Sequence, residues 1–304
     1  MPSSEPDSQH PAQLSITKLR QASEQIDEVE NLWQDYMRRE TWQFEIAKDE
    51  MQHALVLVVR LSSPLPTEAL NGLLRSSVNS GRSALDNLIT SLARDNVTTE
   101  KELRLLAFPI TQSGEEWKKG RWDSKLRSLT DEGLARVKRV QPFCSISEPG
   151  LGHPLQILHE LWNADKHRNS FSAAIGLSPR AAQVELLEMQ FDTAVEHLED
   201  VKEHLSDIDA TMDLNLGPIG NGTHLITIRV PKDVNLDQVD IRPRDATFTL
   251  GLIGPGVSIT HSGIAVLRNA LRYARETVRF VSGISDQLPH QYPPGFVVIA
   301  PEAD

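Results

Sequence analysis

The chain has 304 residues, enough for one large domain or two modest ones with a sizeable hydrophobic core. Acidic residues outnumber basic ones by 42 to 31, a formal charge of -11, which excludes a general nucleic-acid coat but leaves room for a local basic site. Cys144 is the single cysteine, so the composition excludes an intrachain disulfide and a thiolate zinc site.

The N-terminal segment predicts a disordered tail. Residues 1–13 are rich in proline and serine and lack the basic start and apolar run of a signal peptide. The longest strongly apolar run, ALVLVV at 54–59, is far shorter than a membrane span. We therefore expect a bacterial, cytoplasmic protein that makes no membrane contact.

The next segments predict a helix followed by a β-hairpin. Apolar residues recur at helical spacing from Leu19 to Tyr36, and Ser15 is the expected N-cap. The alternating segment at 41–47 and the apolar run at 53–59 are separated by a polar turn, which is typical of two antiparallel strands.

The segment PLPT at 64–67 ends this hairpin and begins a helix over about 68–94, which has two ordered faces. The first face is apolar and should lie against the core: Leu70, Leu74, Val78, Gly81, Leu85, Leu88 and Leu92. The second face, beside it, is polar and charged: Arg75, Asn79, Arg82 and Asp86. Because the charged face lies next to the core face, we expect it to contact a neighbouring helix that also carries polar side chains beside its apolar face.

The remaining segments predict further helices and a β-rich region. We expect helices at about 130–140, from Pro154 into the segment at 158–170, over 181–208, and from Ser262 to about Ser285. Strands are expected at 170–178 and within 213–260, including VDIRP at 239–243. These elements predict an α+β fold, a helical bundle combined with an antiparallel sheet, in one domain at 14–286 followed by a Pro-rich tail at 287–304.

The segment LHELWNADKHRNS at 158–170 is the main candidate site, because it crowds ionisable and amide groups around one tryptophan. On a helix, His159, Asn163 and His167 share one face, and Asp165 lies beside the apolar stripe. A buried Asp165 needs a partner, and an arginine on the charged face of the 68–94 helix is the most economical one.

Several interpretations of this segment are open. Asn163 stands where a zinc protease has its second histidine, which argues against that class of enzyme. A metal held by His159 and His167 with a third ligand such as His153 is an alternative. Another is a polar network that ties two helices together, and a fourth is metal-independent catalysis by arginine and histidine.

Four segments resemble the signature of a large family of uncharacterised bacterial proteins: GRSALDNL at 81–88, FPI at 108–110, QPF at 141–143 and HPLQILHELWNADKHR at 153–168. The resemblance covers about 14–170 in order, and more weakly the β-rich region and the last helix, and it carries no function. The helix at 81–88 also resembles, more distantly, that of the HEPN nucleases. These helical bundles carry Arg-x4-6-His on one helix and cleave RNA without a metal, usually as dimers.

The HEPN resemblance implies an RNA-binding or RNA-cleaving protein of a stress or phage-defence system, acting as a homodimer without cofactor or metal. A histidine would take the proton of a ribose 2′-hydroxyl while an arginine holds the phosphate. Asn87 stands at the position of the family's histidine, and asparagine cannot act as a general base, so His159 or His167 would replace it. The catalytic candidates are then His159, His167, Arg82, Arg168 and Asp86.

The single-stranded RNA would be bound by a second set of residues: Lys166, Asn163, Asn87, Trp122, Lys118, Lys119 and Arg121. Within the basic segment at 117–127, Trp117 and Trp122 are interleaved with lysine and arginine and would stack on bases. A solvated basic loop is the plainer interpretation of that segment.

Two other functions are open for the whole chain. The first alternative is a non-enzymatic binding or scaffold protein. The second is a small-molecule hydrolase, for which no nucleophile-elbow, phosphate-loop or dinucleotide motif is present.

Overall fold

The computed structural model describes residues 10–290 apart from 40–41, 98, 145–151, 167–170, 178–211, 215–217, 230–231, 233–235, 237–247, 255–256 and 260–262. Within these residues the helices are α1 (Gln13–Arg38), α2 (Thr67–Ala93), α3 (Glu100–Leu105), α4 (Gly114–Lys119), α5 (Trp122–Lys125), α6 (Asp131–Arg139), α7 (Pro154–Lys166) and α8 (Gly263–Val281). The strands are β1 (Trp42–Asp49), β2 (Ala54–Leu61), β3 (Ser172–Leu177), β4 (Met212–Leu214), β5 (His224–Arg229), β6 (Phe248–Gly254) and β7 (Val257–Ile259). The predicted α+β class is confirmed.

The strands form two antiparallel sheets, in the orders β1-β2-β5-β4 and β3-β6-β7. The predicted hairpin is confirmed, with β1 and β2 paired from Trp42 opposite Leu61 to Asp49 opposite Ala54. Trp42 lies edge-on against Phe248 of β6, with ring centroids 4.7 Å apart. This aromatic contact joins the first sheet to the second.

The long helices pack around α2, whose predicted apolar face is buried in the core. α1 and α7 lie against α2, and α8 packs on all three. Gly81 lets α2 and α8 approach closely, because a Cβ atom there would lie 2.6 Å from Leu271 Cδ2 and the leucine side chain would have to move. The bundle therefore positions the charged face of α2 against α7.

Two predicted helix ends were wrong. α1 begins at Gln13 with Ala12 as its N-cap residue, and Ser15 is buried inside the helix instead of capping it. α8 ends at Val281 because Gly283, at φ 78°, turns the chain and donates from its N–H to Phe280 O. A glycine in this left-handed conformation is a common helix terminator.

Several predicted elements lie outside the described residues: the helix at 181–208, the strand VDIRP at 239–243 and most of both tails.

The basic segment at 117–127 is not an irregular loop but contains α4 and α5. In the part of the chain that the structure describes, none of the helices combines the length and apolarity that crossing a bilayer needs.

Candidate functional site

The charged face of α2 meets α7 through Asp165, as the sequence predicts. Arg75 Nε lies 3.5 Å from Asp165 Oδ1, and Asn79 Nδ2 donates to Asp165 Oδ2 at 3.0 Å. The Asp165 side chain is 19% exposed, so its carboxylate is paired and still partly hydrated. The predicted packing of these two helices is confirmed.

Deeper along the same face, Arg82 and Asp86 clamp the backbone of Phe108 in the FPI loop. Arg82 is 5% exposed, and its Nη2 donates to Phe108 O at 2.7 Å and to Asp86 Oδ1 at 3.0 Å. The same Asp86 oxygen accepts the Phe108 N–H at 2.8 Å. Both polar groups of this buried peptide segment are therefore satisfied by one ion pair, which fixes the loop on α2.

Trp162 of α7 covers the Arg82 guanidinium. The Arg82 Cζ atom lies 5.3 Å from the centroid of the Trp162 ring, and Lys166 Nζ lies 4.8 Å from it. The His159 ring stacks beside Trp162 with centroids 6.0 Å apart and an interplanar angle of 24°. We call Arg82, Asp86, His159 and Trp162 the seam cluster.

His159 is neutral at pH 7 in this environment. Burial, reinforced by the charge of Arg82, lowers the pKa of His159 to about 4. The Asn163 amide, 3.0 Å from His159 Nε2, donates to that nitrogen in the assigned orientation, which leaves the ring proton on Nδ1. Burial likewise lowers the pKa of Arg82, and Asp86 opposes this shift.

Three buried nitrogens of the seam cluster have no hydrogen-bond partner among the described residues: Arg82 Nε, Arg82 Nη1 and His159 Nδ1. Unpaired buried donors are uncommon in native proteins. The seam cluster thus contains a buried arginine paired with Asp86, together with N–H donors that have no acceptor among the described residues.

The structure brings together only some of the predicted site residues. Arg82, Asp86, His159, Asn163 and Lys166 meet at the seam between α2 and α7, as described above. Asn87 is half-buried on α2, which runs unbroken through that position, so its side chain points roughly 140° away from that of Arg82. His167 and Arg168 lie outside the described residues.

The basic segment lies on a different pair of helices. Lys118, Lys119 and Arg121 are exposed, and Trp122 is half-buried. Trp117 is only 1% exposed and packs edge-on against Phe143, with ring centroids 6.2 Å apart. The prediction that Trp117 stacks on bases is therefore wrong, because its ring is part of the core.

His153 belongs to a separate polar contact with α8. Its Nδ1 accepts the Leu155 N–H at 3.2 Å, and its Nε2 lies 3.1 Å from Tyr273 Oη. Because both ring nitrogens are engaged, His153 does not serve as the third ligand of a metal held by His159. Across the described ranges there is no group of three or more histidine, cysteine, aspartate or glutamate side chains that could hold a metal ion.

The burial of His153 predicts a pH dependence of stability. Burial lowers its pKa from 6.5 to about 4, so the unfolded chain takes up the proton first as the pH falls. This contribution to the free energy of unfolding is complete above pH 6.5 and is lost towards pH 4. At about 1.4 kcal/mol for each pKa unit, the loss is about 3 kcal/mol.

His153→Gln removes this titration while keeping a donor for Tyr273. Urea unfolding of both proteins between pH 4 and 8 should give a shallower pH dependence for the variant. Parallel curves would contradict the assignment of a neutral, buried His153.

Two contacts of the seam cluster have little signal in the sequence. The backbone of Phe108 is the partner that buries Arg82, and its one local signal is Pro109, which favours an extended conformation for the preceding residue. Trp162 shares a helix face with Leu155 and Leu158, which predicts a core position, and its position over a guanidinium depends on the packing of α7 against α2.

Comparison with protein-family models, with curated proteins and with solved structures gave no match for this chain. Its function is therefore inferred from the geometry of its own residues.

Proposed function

We propose that the protein is a non-enzymatic binding protein, in which the seam cluster holds α2, α7 and the FPI loop together. The environment of Arg82 carries this proposal. A catalytic arginine has to reach a substrate phosphate, whereas this guanidinium is buried, bound to Phe108 O and Asp86, and covered by Trp162. The Arg82–Asp86 pair thus connects α2 to the FPI loop inside the protein.

The state of His159 supports the same conclusion. A general base works best when its pKa is near the working pH, and the pKa of His159 is about 4. Its neutral form is present at pH 7 but binds a proton weakly. Asn87, at the position where the HEPN pattern has its histidine, supplies no base either.

Metal-independent RNA cleavage is the second candidate, and the unpaired nitrogens of Arg82 and His159 favour it. For a phosphodiester to reach these donors, Trp162 has to move away from the Arg82 guanidinium. The phosphate would offset the charge of Arg82 and so raise the pKa of His159 towards neutrality. This candidate corresponds to a HEPN-like endoribonuclease that acts as a homodimer.

An RNA cleavage assay separates the two candidates. The purified full chain is incubated with single-stranded RNA in EDTA, and mass spectrometry follows the formation of 2′,3′-cyclic phosphate. We expect no such product from the wild type or from Asn87→His, because residue 87 points away from Arg82.

His159→Ala, purified in the same way, controls for contaminating nuclease. Cleavage by the wild type that disappears in His159→Ala, with an unchanged melting temperature, would overturn the non-enzymatic proposal and establish the second candidate.

A further inference from the structure

Helices α4, α5 and α6 form a basic region of an acidic chain. Residues 117–139 contain eight lysines and arginines against three aspartates and glutamates, although the whole chain has a formal charge of -11. Lys138 of α6 places its Nζ 5.8 Å from the centroid of the Trp117 ring of α4. This contact makes α4 and α6 parts of one surface, with Trp117 as its buried anchor.

Some cations of this surface are neutralised and others are not. Arg127 pairs with Glu102, and Arg136 pairs with Glu132 and Asp286. Lys118, Lys119, Arg121, Lys125 and Lys138 are exposed and have no carboxylate partner among the described residues. We call these five residues and Trp122 the basic surface.

The turn between α4 and α5 holds Arg121 in an unfavourable backbone conformation. Its φ of 54° and ψ of 39° are left-handed, which a residue with a Cβ atom adopts at a cost in energy. A Cβ at the preceding Gly120 would lie 2.4 Å from Trp122 Nε1, so the turn also seats the indole tightly. Glycine would adopt this conformation without strain, so the presence of an arginine here supports a function for its side chain.

Trp122 supplies an aromatic platform among these cations. It is half-buried, and Lys125 Nζ lies 4.4 Å from the centroid of its ring. Stacking of a nucleic-acid base on an aromatic ring is stronger than an exposed contact between a cation and that ring. A base stacked on Trp122 would displace Lys125, which would then be available to pair with a phosphate.

We propose that the basic surface binds single-stranded RNA, with Trp122 stacking on a base and the five cations following the phosphates. The inference rests on the proposed binding function, names its partner, and locates the contact away from the seam cluster. Cations alone would suit an acidic protein equally well, and the aromatic platform decides in favour of a nucleic acid.

The test measures binding of a fluorescently labelled oligouridine to the full chain by anisotropy at several salt concentrations. The triple variant Lys118→Gln, Lys119→Gln, Arg121→Gln should bind about tenfold or more weakly at low salt. Its slope of log affinity against log salt should be about 2 smaller, since each lost phosphate contact removes about 0.7 for a single strand. The matched control, Arg20→Gln, Arg38→Gln, Arg60→Gln on α1 and β2, should bind like the wild type.

Two single variants separate a binding role from a structural one. Arg121→Gly should raise the melting temperature by about 2–4 °C because it relieves the left-handed strain, and yet weaken RNA binding. Trp122→Leu should weaken binding while leaving the salt slope unchanged, since stacking releases no counterion.

The outcomes are distinct. A wild type that does not bind RNA overturns this inference while leaving the non-enzymatic proposal, which the cleavage assay tests, in place. Equal binding by the triple variant and its control overturns the location of the surface. Polyglutamate that competes with RNA as well as unlabelled oligouridine does overturns the choice of RNA in favour of an acidic protein.

Discussion

Asp86→Ala is expected to lower the free energy of unfolding by about 3–5 kcal/mol, because it leaves the buried Arg82 without its counter-charge. The variant also removes the acceptor of the Phe108 N–H, so the FPI loop loses one of its two attachments to α2. Urea unfolding at pH 7, followed by circular dichroism, measures this change.

The matched control is Asp165→Ala at the outer end of the same helix pair. The Asp165 side chain is less exposed than that of Asp86 (19% against 31%), but its partner Arg75 is 36% exposed whereas Arg82 is buried, so the loss should be about 1 kcal/mol. Equal losses of stability in the two variants would show that the burial of Arg82 does not strengthen its ion pair with Asp86. That result would contradict the structural role proposed for the seam cluster.

Trp117→Ala is expected to destabilise the protein by about 3–5 kcal/mol, because it removes a large side chain that is 1% exposed. The cavity left behind lies under α4 and α6, where Lys138 and Phe143 contact the ring. The melting temperature of the variant, measured by calorimetry, should fall well below that of the wild type.

Trp122→Ala provides the comparison for this effect. Trp122 is half-buried, so its removal should cost clearly less stability than that of Trp117 while weakening RNA binding more. A folded Trp117→Ala protein of wild-type stability would mean that this indole is not part of the core.

Most of the helices and the hairpin could be predicted because long elements repeat their pattern. α2 has 27 residues, and its apolar face recurs often enough to give both its limits and its orientation. α4 and α5 have 6 and 4 residues, too few turns for any periodicity. The burial of Trp117 among lysines was therefore invisible in the sequence.

In the candidate site, the sequence could predict only contacts between two side chains. The charged face of α2 and the position of Asp165 on α7 predicted an arginine partner for Asp165, and Arg75 is that partner. The hydrogen bond from Asn79 to Asp165 was not predicted. The partner of Arg82 across the fold is a backbone carbonyl, and backbone groups leave no mark in a sequence. The position of Trp162 over the Arg82 guanidinium depends on how α2 and α7 are rotated about their axes, and the pattern of apolar residues does not determine this rotation.

The packing of α8 has a consequence for how the protein folds during synthesis. α8 completes the bundle through contacts with distant parts of the chain, such as Arg268 with Asp27, 241 residues apart, and Tyr273 with His153, 120 residues apart. Contacts of such sequence separation slow folding, because long loops must close before they are formed. The apolar faces of α1 and α2 that α8 covers thus stay exposed on the nascent chain until α8 leaves the ribosome, a period in which chaperones would protect them.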